Sequence, residues 1–413
     1  MTEAVLAAPA ESRSDSAAAA VRAAYFAFIL WVPLETVDLF QAQGKSRVIS
    51  LSRLLGFLLF GLALFDRRRC FRHAPAVFWG VAWYIAAYSA SQLGIARWLD
   101  GPFLATQVIL CYSAVLFLVS LNLFADEEFR RAALRFYGWC AALVAVGMLL
   151  GAFGGPAREL DGRVSILGQD PNAAAGFFAL GALCLAGDTR LFERGRLFVR
   201  FLLTPLALGA LLVGILQTES RGGMLAFVAG ILGLAVCGGK GARGKRLMLA
   251  GVAILGLGLM VLREFEQNTS LSVRLADSWY EGDTAGRTHI YETAWAMFLE
   301  KPLMGYGGAN NMATLGMTLK FISGNVYYRD THNLLLMVLT EVGVVGAAPF
   351  LAAILYALWL AWRHGRRTDD PAPFALMCAQ LTICSSLTGT NQNLFWIVLA
   401  AAASCGLNAD AAS

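Results

Sequence analysis

The chain of 413 residues is 58% hydrophobic and only 15% charged, with a mean hydropathy of +0.60. Soluble domains carry about 25% charged residues, so the composition excludes an ordinary soluble protein and predicts a polytopic membrane protein. Its net charge of +5 follows from the sidedness of basic loops and calls for no nucleic-acid partner.

The opening stretch "MTEAVLAAPAESRSDSAAAA" is Ala/Ser-rich and predicts a flexible cytoplasmic tail over 1–18. The first apolar run has no evident cleavage site after it, so it reads as a retained helix. Apolar runs predict about twelve spans, near 19–35, 49–65, 74–92, 102–124, 132–153, 171–187, 198–217, 222–238, 246–262, 342–362, 373–388 and 392–407. The fold expected is all-α, and strand-like alternation is missing, which argues against a transmembrane barrel. Nine helices over 19–262 precede one large polar segment at 263–341, and three helices over 342–413 follow it. Within that segment 332–341 is apolar but too short to span before Gly343 and Gly346. It reads as a re-entrant or interfacial piece, or as the start of a kinked tenth helix. The eight cysteines (Cys70, Cys111, Cys140, Cys184, Cys237, Cys378, Cys384, Cys405) lie almost all inside apolar runs. With no CxxC pair or zinc spacing, they read as small packing residues.

Basic residues orient the chain. Arg67, Arg68, Arg69 and Arg72 follow the second span, and Arg130, Arg131 and Arg135 the fourth. Arg190, Arg194, Arg196 and Arg200 follow the sixth, Lys240, Arg243, Lys245 and Arg246 the eighth, and Arg363, Arg366 and Arg367 the tenth. All are even-numbered exits and share one side, expected to be the cytoplasm, with both termini there. His73 and His364 lie among these arginines and read as topology residues. The loops after spans five, seven and nine then share the outer face, and they hold Arg163, Arg221, Arg287 and His332.

Four stretches on that face carry candidate chemistry. In "GRVSILGQDPNAAAGFFALG" (162–181), Asp170 before Pro171 reads as a turn that shapes the entry of a helix, with Asn172 at its start and Arg163 facing the same outer space. In "QTESRGGMLAF" (217–227), Ser220 is a good N-cap and puts Arg221 in a first helical turn. Gly222 and Gly223 remove side chains beside it, so the stretch reads either as a phosphate site or as an interfacial arginine snorkelling to headgroups. In "EGDTAGRTHIYETAWAMFLEKPLMGYG" (281–307), Asp283 or Thr284 caps an amphipathic surface helix running to Pro302, with Arg287 in its first turn and Ile290, Ala294, Met297 and Phe298 at helical spacing. By itself Arg287 reads as a solvated surface arginine, and His289 as a polar-face residue. In "YYRDTHNLLL" (327–336), Thr331 caps the next helix and sets His332 at its N-terminus. The positive helix end disfavours imidazolium, so the ring should be neutral and able to accept a proton; a histidine that only caps or marks the interface is the alternative. Trp279, Tyr280, Tyr327 and Tyr328 fit either sugar stacking or interfacial anchoring. Glu341 is the main mid-span charge and would orient His332 or cap a helix break. Scattered Asp277, Glu281 and Asp283 read as solvated, and no obligate metal is expected. HExxH, Walker, GxSxG and dinucleotide motifs are missing.

The order "DPN", "SRGG", "GRTHIYETAWAMFLEKPLMGYG", "THNLLLMVLTEVGVVG" resembles the O-antigen ligase and polymerase superfamily of envelope glycosyltransferases. The resemblance covers about 160–362 and extends to the whole chain through helix count and the single large loop. It implies a GT-C-like fold in the bacterial inner membrane and a periplasmic site. It also implies transfer of a glycan from undecaprenyl diphosphate to a sugar hydroxyl of lipid A–core, with no cofactor and no metal. The family's catalytic histidine matches His332, and its two functional arginines match Arg221 and Arg287. Arg163, Asn172, Ser220, Gly222, Gly223, Asn333, Tyr327 and Tyr328 are the expected substrate-binding residues. A polymerase acting on lipid-linked glycan, or a protein-glycosylating member, is the alternative within the superfamily. A lipid-linked sugar flippase fits less well, because transporters place ionisable residues near the midplane and here they cluster at one face.

Overall fold

The computed structural model describes residues 8–35, 50–92, 101–152, 157–158, 164–165, 170–188, 198–237, 251, 253–263, 266, 287–323 and 326–407. The described residues are helical apart from turns, short connections and two ladders of two-residue strands. In chain order the elements are α1 (Ala8–Trp31), α2 (Leu51–Ala63), the single turn α3 (Arg67–Cys70), α4 (Ala76–Gln92), α5 (Gly101–Leu123) and α6 (Glu127–Leu149). The ladder β1 (Ala157–Arg158) with β2 (Val164–Ser165) precedes α7 (Pro171–Gly187), α8 (Thr204–Gln217), α9 (Arg221–Cys237) and α10 (Ala253–Arg263). Then come α11 (Thr288–Glu300), α12 (Asn310–Thr318), the hairpin β3 (Ile322–Ser323) with β4 (Val326–Tyr327), α13 (Leu334–Thr368), α14 (Ala372–Cys384) and α15 (Asn393–Ser404). Every expected span overlaps one of these helices. Among the described residues, four segments, Ser16–Leu34, Leu104–Leu123, Glu127–Leu149 and Leu334–Thr368, are long and apolar enough to cross a membrane by themselves. The first helix starts at Ala8, well before 19, because the alanine-rich stretch expected to be a loose tail has high helix propensity.

Helix α7 is the buried axis of the bundle, packed by α6, α8, α9 and α14. Its alanines and glycines permit close approach, which is how helices associate where no hydrophobic effect separates them from lipid. A Cβ on Gly181 would lie 2.6 Å from that of Ala141 on α6, and one on Gly223 of α9 would lie 2.3 Å from that of Ala175.

The two ends of the bundle are held by different chemistry. At one end, Arg22 pairs with Asp126 at 2.7 Å, Arg135 with Asp188 at 3.0 Å, and Arg131 with Asp370 at 3.1 Å. Arg130, fully buried, reaches Asp370 at 3.3 Å, His364 Nε2 at 3.0 Å and Ser404 Oγ at 3.3 Å. Removing one partner of a buried network leaves a charge uncompensated, so these links fix α6, α13, α14 and α15 together. Most of the residues involved come from the exits of spans four, six and ten, which the arginine distribution assigns to one side; Arg22 lies in the first span and Ser404 in the last. Asp330, His332, Arg287 and the start of α9 are gathered at the other end.

Helix α13 is broken inside. Gly343 has φ 60° and ψ −171°, so the chain leaves helical geometry and resumes it at once. In an unbroken helix the carbonyls of Thr340 and Glu341 would accept from the N–H groups of Val344 and Val345. Here the segment 302–307 takes over all four groups. Tyr306 N–H donates to Thr340 O at 2.7 Å and Gly307 N–H to Glu341 O at 2.9 Å, while Val344 N–H donates to Pro302 O at 2.8 Å and Val345 N–H to Leu303 O at 3.3 Å. The approach is possible only without side chains. A Cβ on Gly343 would lie 2.3 Å from the Leu303 carbonyl, and one on Gly305 2.6 Å from that of Glu341. From Leu334 on, the stretch 332–341 is therefore the start of a kinked helix. Glu341 is buried, and its carboxylate accepts a hydrogen bond from Tyr84 Oη on α4 at 2.7 Å. It sits at the break and makes no bond to His332.

Gly343→Ala should lower the midpoint of thermal unfolding in detergent, losing at least about 2 kcal/mol from the left-handed backbone and the collision together. Gly61→Ala, on an exposed face of α2 with nothing within 4 Å of the added Cβ, should leave the midpoint unchanged or raised. Equal effects would contradict the role given to the break.

Candidate functional site

The site is built from the N-terminal ends of four helices. Asp170 caps α7, its carboxylate accepting from Asn172 N–H at 2.7 Å, with Pro171 in the first turn. Ser220 caps α9, as expected, accepting from Gly223 N–H at 3.1 Å. Its hydroxyl also donates to Asn172 Oδ1 at 2.9 Å, which ties the "DPN" and "SRGG" motifs together. Arg221 is then the first residue of α9 and is half-buried. The glycines beside it do not leave open room. Gly222 lies against Ser386, whose Oγ would be 2.6 Å from an added Cβ, and Gly223 against Ala175. Their absent side chains serve helix packing rather than ligand approach.

Arg287 occupies the N-cap position of α11, one residue ahead of the helix, not its first turn. Its guanidinium donates to Ser386 O at 3.0 Å. The helix buries Ile290, Ala294 and Met297, with Met297 and Ile290 packed on Leu315 of α12. Trp295 and Leu299 are exposed on its other side, followed by exposed Leu303 and Met304, which suits a helix lying in a lipid interface. His289 is exposed, as expected.

Asn333, and not Thr331, caps α13, its side chain accepting from Leu336 N–H at 3.1 Å. The Thr331 hydroxyl instead donates to Asn333 O at 3.1 Å. His332 precedes the cap in the left-handed region at φ 51°, an uncommon and strained conformation for a non-glycine residue. Its N–H donates to Asp330 Oδ1 at 3.0 Å, and its carbonyl accepts from Tyr291 Oη at 3.4 Å. The ring nitrogen Nδ1 is buried and takes no hydrogen bond. Burial lowers the pKa of His332 below its ordinary 6.5; Asp330 opposes this, and the charges of Arg287 and Arg329 push it further down. The ring therefore favours its neutral, proton-accepting form at pH 7, and burial rather than the helix end is the largest cause.

A short loop after α14 gathers these pieces, and sequence reasoning missed it. Ser385 O accepts from Tyr291 Oη and from Asn333 Nδ2, each at 3.3 Å. Ser386 O accepts from Arg287, and Thr388 Oγ1 donates to Asp330 Oδ2 at 3.3 Å. Asp330 and Tyr291 were also missed. Most of these contacts use main-chain carbonyls, which leave no mark in a sequence; the hydroxyl-rich "SSLTGTNQN" (385–393) was the available signal. Tyr327 and Tyr328 are exposed on and beside β4, and Arg329 lies over the Phe321 ring at 4.3 Å. Arg163, Trp279, Tyr280, Asp277, Glu281 and Asp283 lie outside the described residues. Among the described residues, one trio offers metal-ligating atoms close together, Glu127, His364 and Asp370. It lies at the opposite end and is already filled by Arg130 and Arg131.

A many-helix membrane protein with arginines and a neutral histidine gathered at one end is thus defined. Residues 206–351 match a family model described as O-antigen ligase, a span that includes Arg221, Arg287 and His332. The match supports the O-antigen ligase and polymerase superfamily for this chain. No curated protein matches the chain.

Site-resolved labelling with diethylpyrocarbonate against pH should give His332 a midpoint below 6.5. Arg329→Gln removes a repelling positive charge and should move the midpoint up. Asp330→Asn removes an attracting negative charge and should move it down. Shifts in the reverse directions would show that these charges do not act on the ring.

Proposed function

We propose that the protein transfers a glycan from undecaprenyl diphosphate to a sugar hydroxyl of lipid A–core, as an O-antigen ligase of the bacterial inner membrane. The observation that carries this reading is the convergence of Arg287, Asn333 and the Gly222 turn beside Arg221 on one loop, Ser385–Ser386, next to a neutral histidine. The twelve helices would cross the membrane in a GT-C-like arrangement, with both termini cytoplasmic. The end that holds His332 would face the periplasm, consistent with the arginine-rich pairings at the other end.

The chemistry follows from the groups present. The acceptor hydroxyl attacks the anomeric carbon from the face opposite the diphosphate. A new C–O bond forms as the bond to the diphosphate oxygen breaks, and the configuration inverts. The hydroxyl proton passes to the neutral imidazole of His332. The electron pair leaves with undecaprenyl diphosphate, whose developing negative charge is stabilised by the forked donors of Arg221 and Arg287. The released diphosphate is the driving force, and no metal or nucleotide takes part. Asp170, Asn172 and Ser220 set the Arg221 turn, while Tyr327 and Tyr328 offer ring faces to the glycan. The exposed apolar side of α11 would lie along the polyprenyl chain.

Purified protein given a polyprenyl-diphosphate glycan in the presence of chelator should glycosylate lipid A–core. His332→Ala should cut the rate by about 10²–10⁴, and Arg287→Gln by about 10²–10³. Product ladders built only on a second lipid-linked glycan would make the protein a polymerase. Full activity in His332→Ala would remove the histidine from the mechanism.

A further inference from the structure

A second feature of the chain lies at the other end of α4. Gln92 and Ser91, at one end of this helix, bond Gly308 next to the plugged break in α13. Its 17 residues span about 25 Å. Just before its first residue lies a cavity of about 180 Å³, lined by Arg22, Arg68, Arg69, Arg72, Asp66 and Asp126 among others. Four guanidinium groups against two carboxylates leave an excess of positive charge. Arg22 is paired with Asp126 at 2.7 Å, and Arg69 Nε lies 4.0 Å from Asp66. Arg68 and Arg72 make no ion pair among the described residues, and both are exposed.

The loop that carries these arginines is fixed, so they are not a loose charged tail. Asn122, buried near the end of α5, clamps His73 at two points. Its Oδ1 accepts from His73 N–H at 2.7 Å, and its Nδ2 donates to His73 O at 3.0 Å. Cys70 is fully buried, and the turn is closed by Arg69 and Cys70 N–H groups donating to Asp66 O at 3.1 and 3.0 Å. Forked guanidinium donors held around a cavity match the oxygens of a phosphate group. Such a group could arrive on a membrane lipid or free in water. Leu64 and Phe65, immediately before the loop, are exposed, Phe65 at 81%. They place apolar surface beside the charged cavity, where an acyl chain would run. A free anion has no use for that surface.

We propose that this cavity binds the phosphate of an anionic phospholipid headgroup on the membrane face opposite the transfer site. The occupant is part of the bilayer and is not a substrate. The lipid anchors the α2–α4 turn to its own leaflet through Arg68 and Arg72.

The full-length protein in detergent, titrated with phosphatidylglycerol or phosphatidylcholine and read by native mass spectrometry, tests this. Wild type should prefer phosphatidylglycerol by at least about tenfold, equivalent to about 1.4 kcal/mol. Arg68→Gln/Arg72→Gln should lose that preference, and Arg68→Lys/Arg72→Lys should keep part of it. Arg366→Gln/Arg367→Gln removes two exposed charges at the same end but outside the cavity, and should change nothing. Glycan transfer in neutral detergent should be unaffected by either glutamine pair, which also reports that the variants fold. Equal binding of the two lipids, or equal loss in the 366/367 pair, would overturn the site. Full displacement of phosphatidylglycerol by inorganic phosphate would assign the cavity to the free anion and overturn the lipid.

Discussion

A buried backbone cannot leave its N–H and C=O groups without partners, and the architecture at the functional end follows from how α13 meets that constraint. Breaking the helix at Gly343 frees two donors and two acceptors, and the segment 302–307 supplies the complement of each. This does more than repair a kink. The plug is the continuation of α11, whose first residue is preceded by Arg287, while the broken helix begins beside His332. The segment from Arg287 to His332 is therefore stapled in its middle to the helix that follows it. These main-chain bonds hold the middle of the segment between Arg287 and His332 against α13, which would preorganise the proposed site.

The electrostatics at His332 point the same way. A base beside a diphosphate site, the role proposed for His332, has conflicting needs. It must remain unprotonated while negative charge gathers nearby, and negative charge favours imidazolium. Burial and the two arginines, Arg287 and Arg329, oppose that tendency, while Asp330 restrains them and holds the residue's own backbone N–H. The left-handed backbone at His332 costs energy that only a well-determined surrounding can sustain. That surrounding is the Ser385–Thr388 loop.

Much of this was legible in the sequence because the signals were long or local. Apolar runs gave the helices, arginine spacing gave the two ends, and Ser220 behaved as the expected cap because its side chain need only reach an N–H group three residues ahead; Asp170, read as a turn, also caps its helix. The boundary errors have equally local causes: alanines extended α1 back to Ala8, and Asn333 outcompeted Thr331 as a cap. What stayed hidden was long-range backbone bonding. Gly343 marks an interruption in the sequence and Gly305 looks like an ordinary loop glycine, but neither shows which backbone will approach it. Gly222 and Gly223 invited a ligand reading because nothing in sequence shows that Ser386 and Ala175 already fill the space beside them.

The central claim is that Arg221, Arg287 and His332 act on one bound molecule. A cryo-electron microscopy structure of the protein with a non-reactive undecaprenyl-diphosphate sugar tests it directly. The account predicts the diphosphate oxygens within hydrogen-bond reach of both guanidinium groups, with His332 facing the anomeric carbon on the side away from the diphosphate. A diphosphate bound elsewhere, or one contacting the arginines with His332 turned away from the sugar, would contradict it.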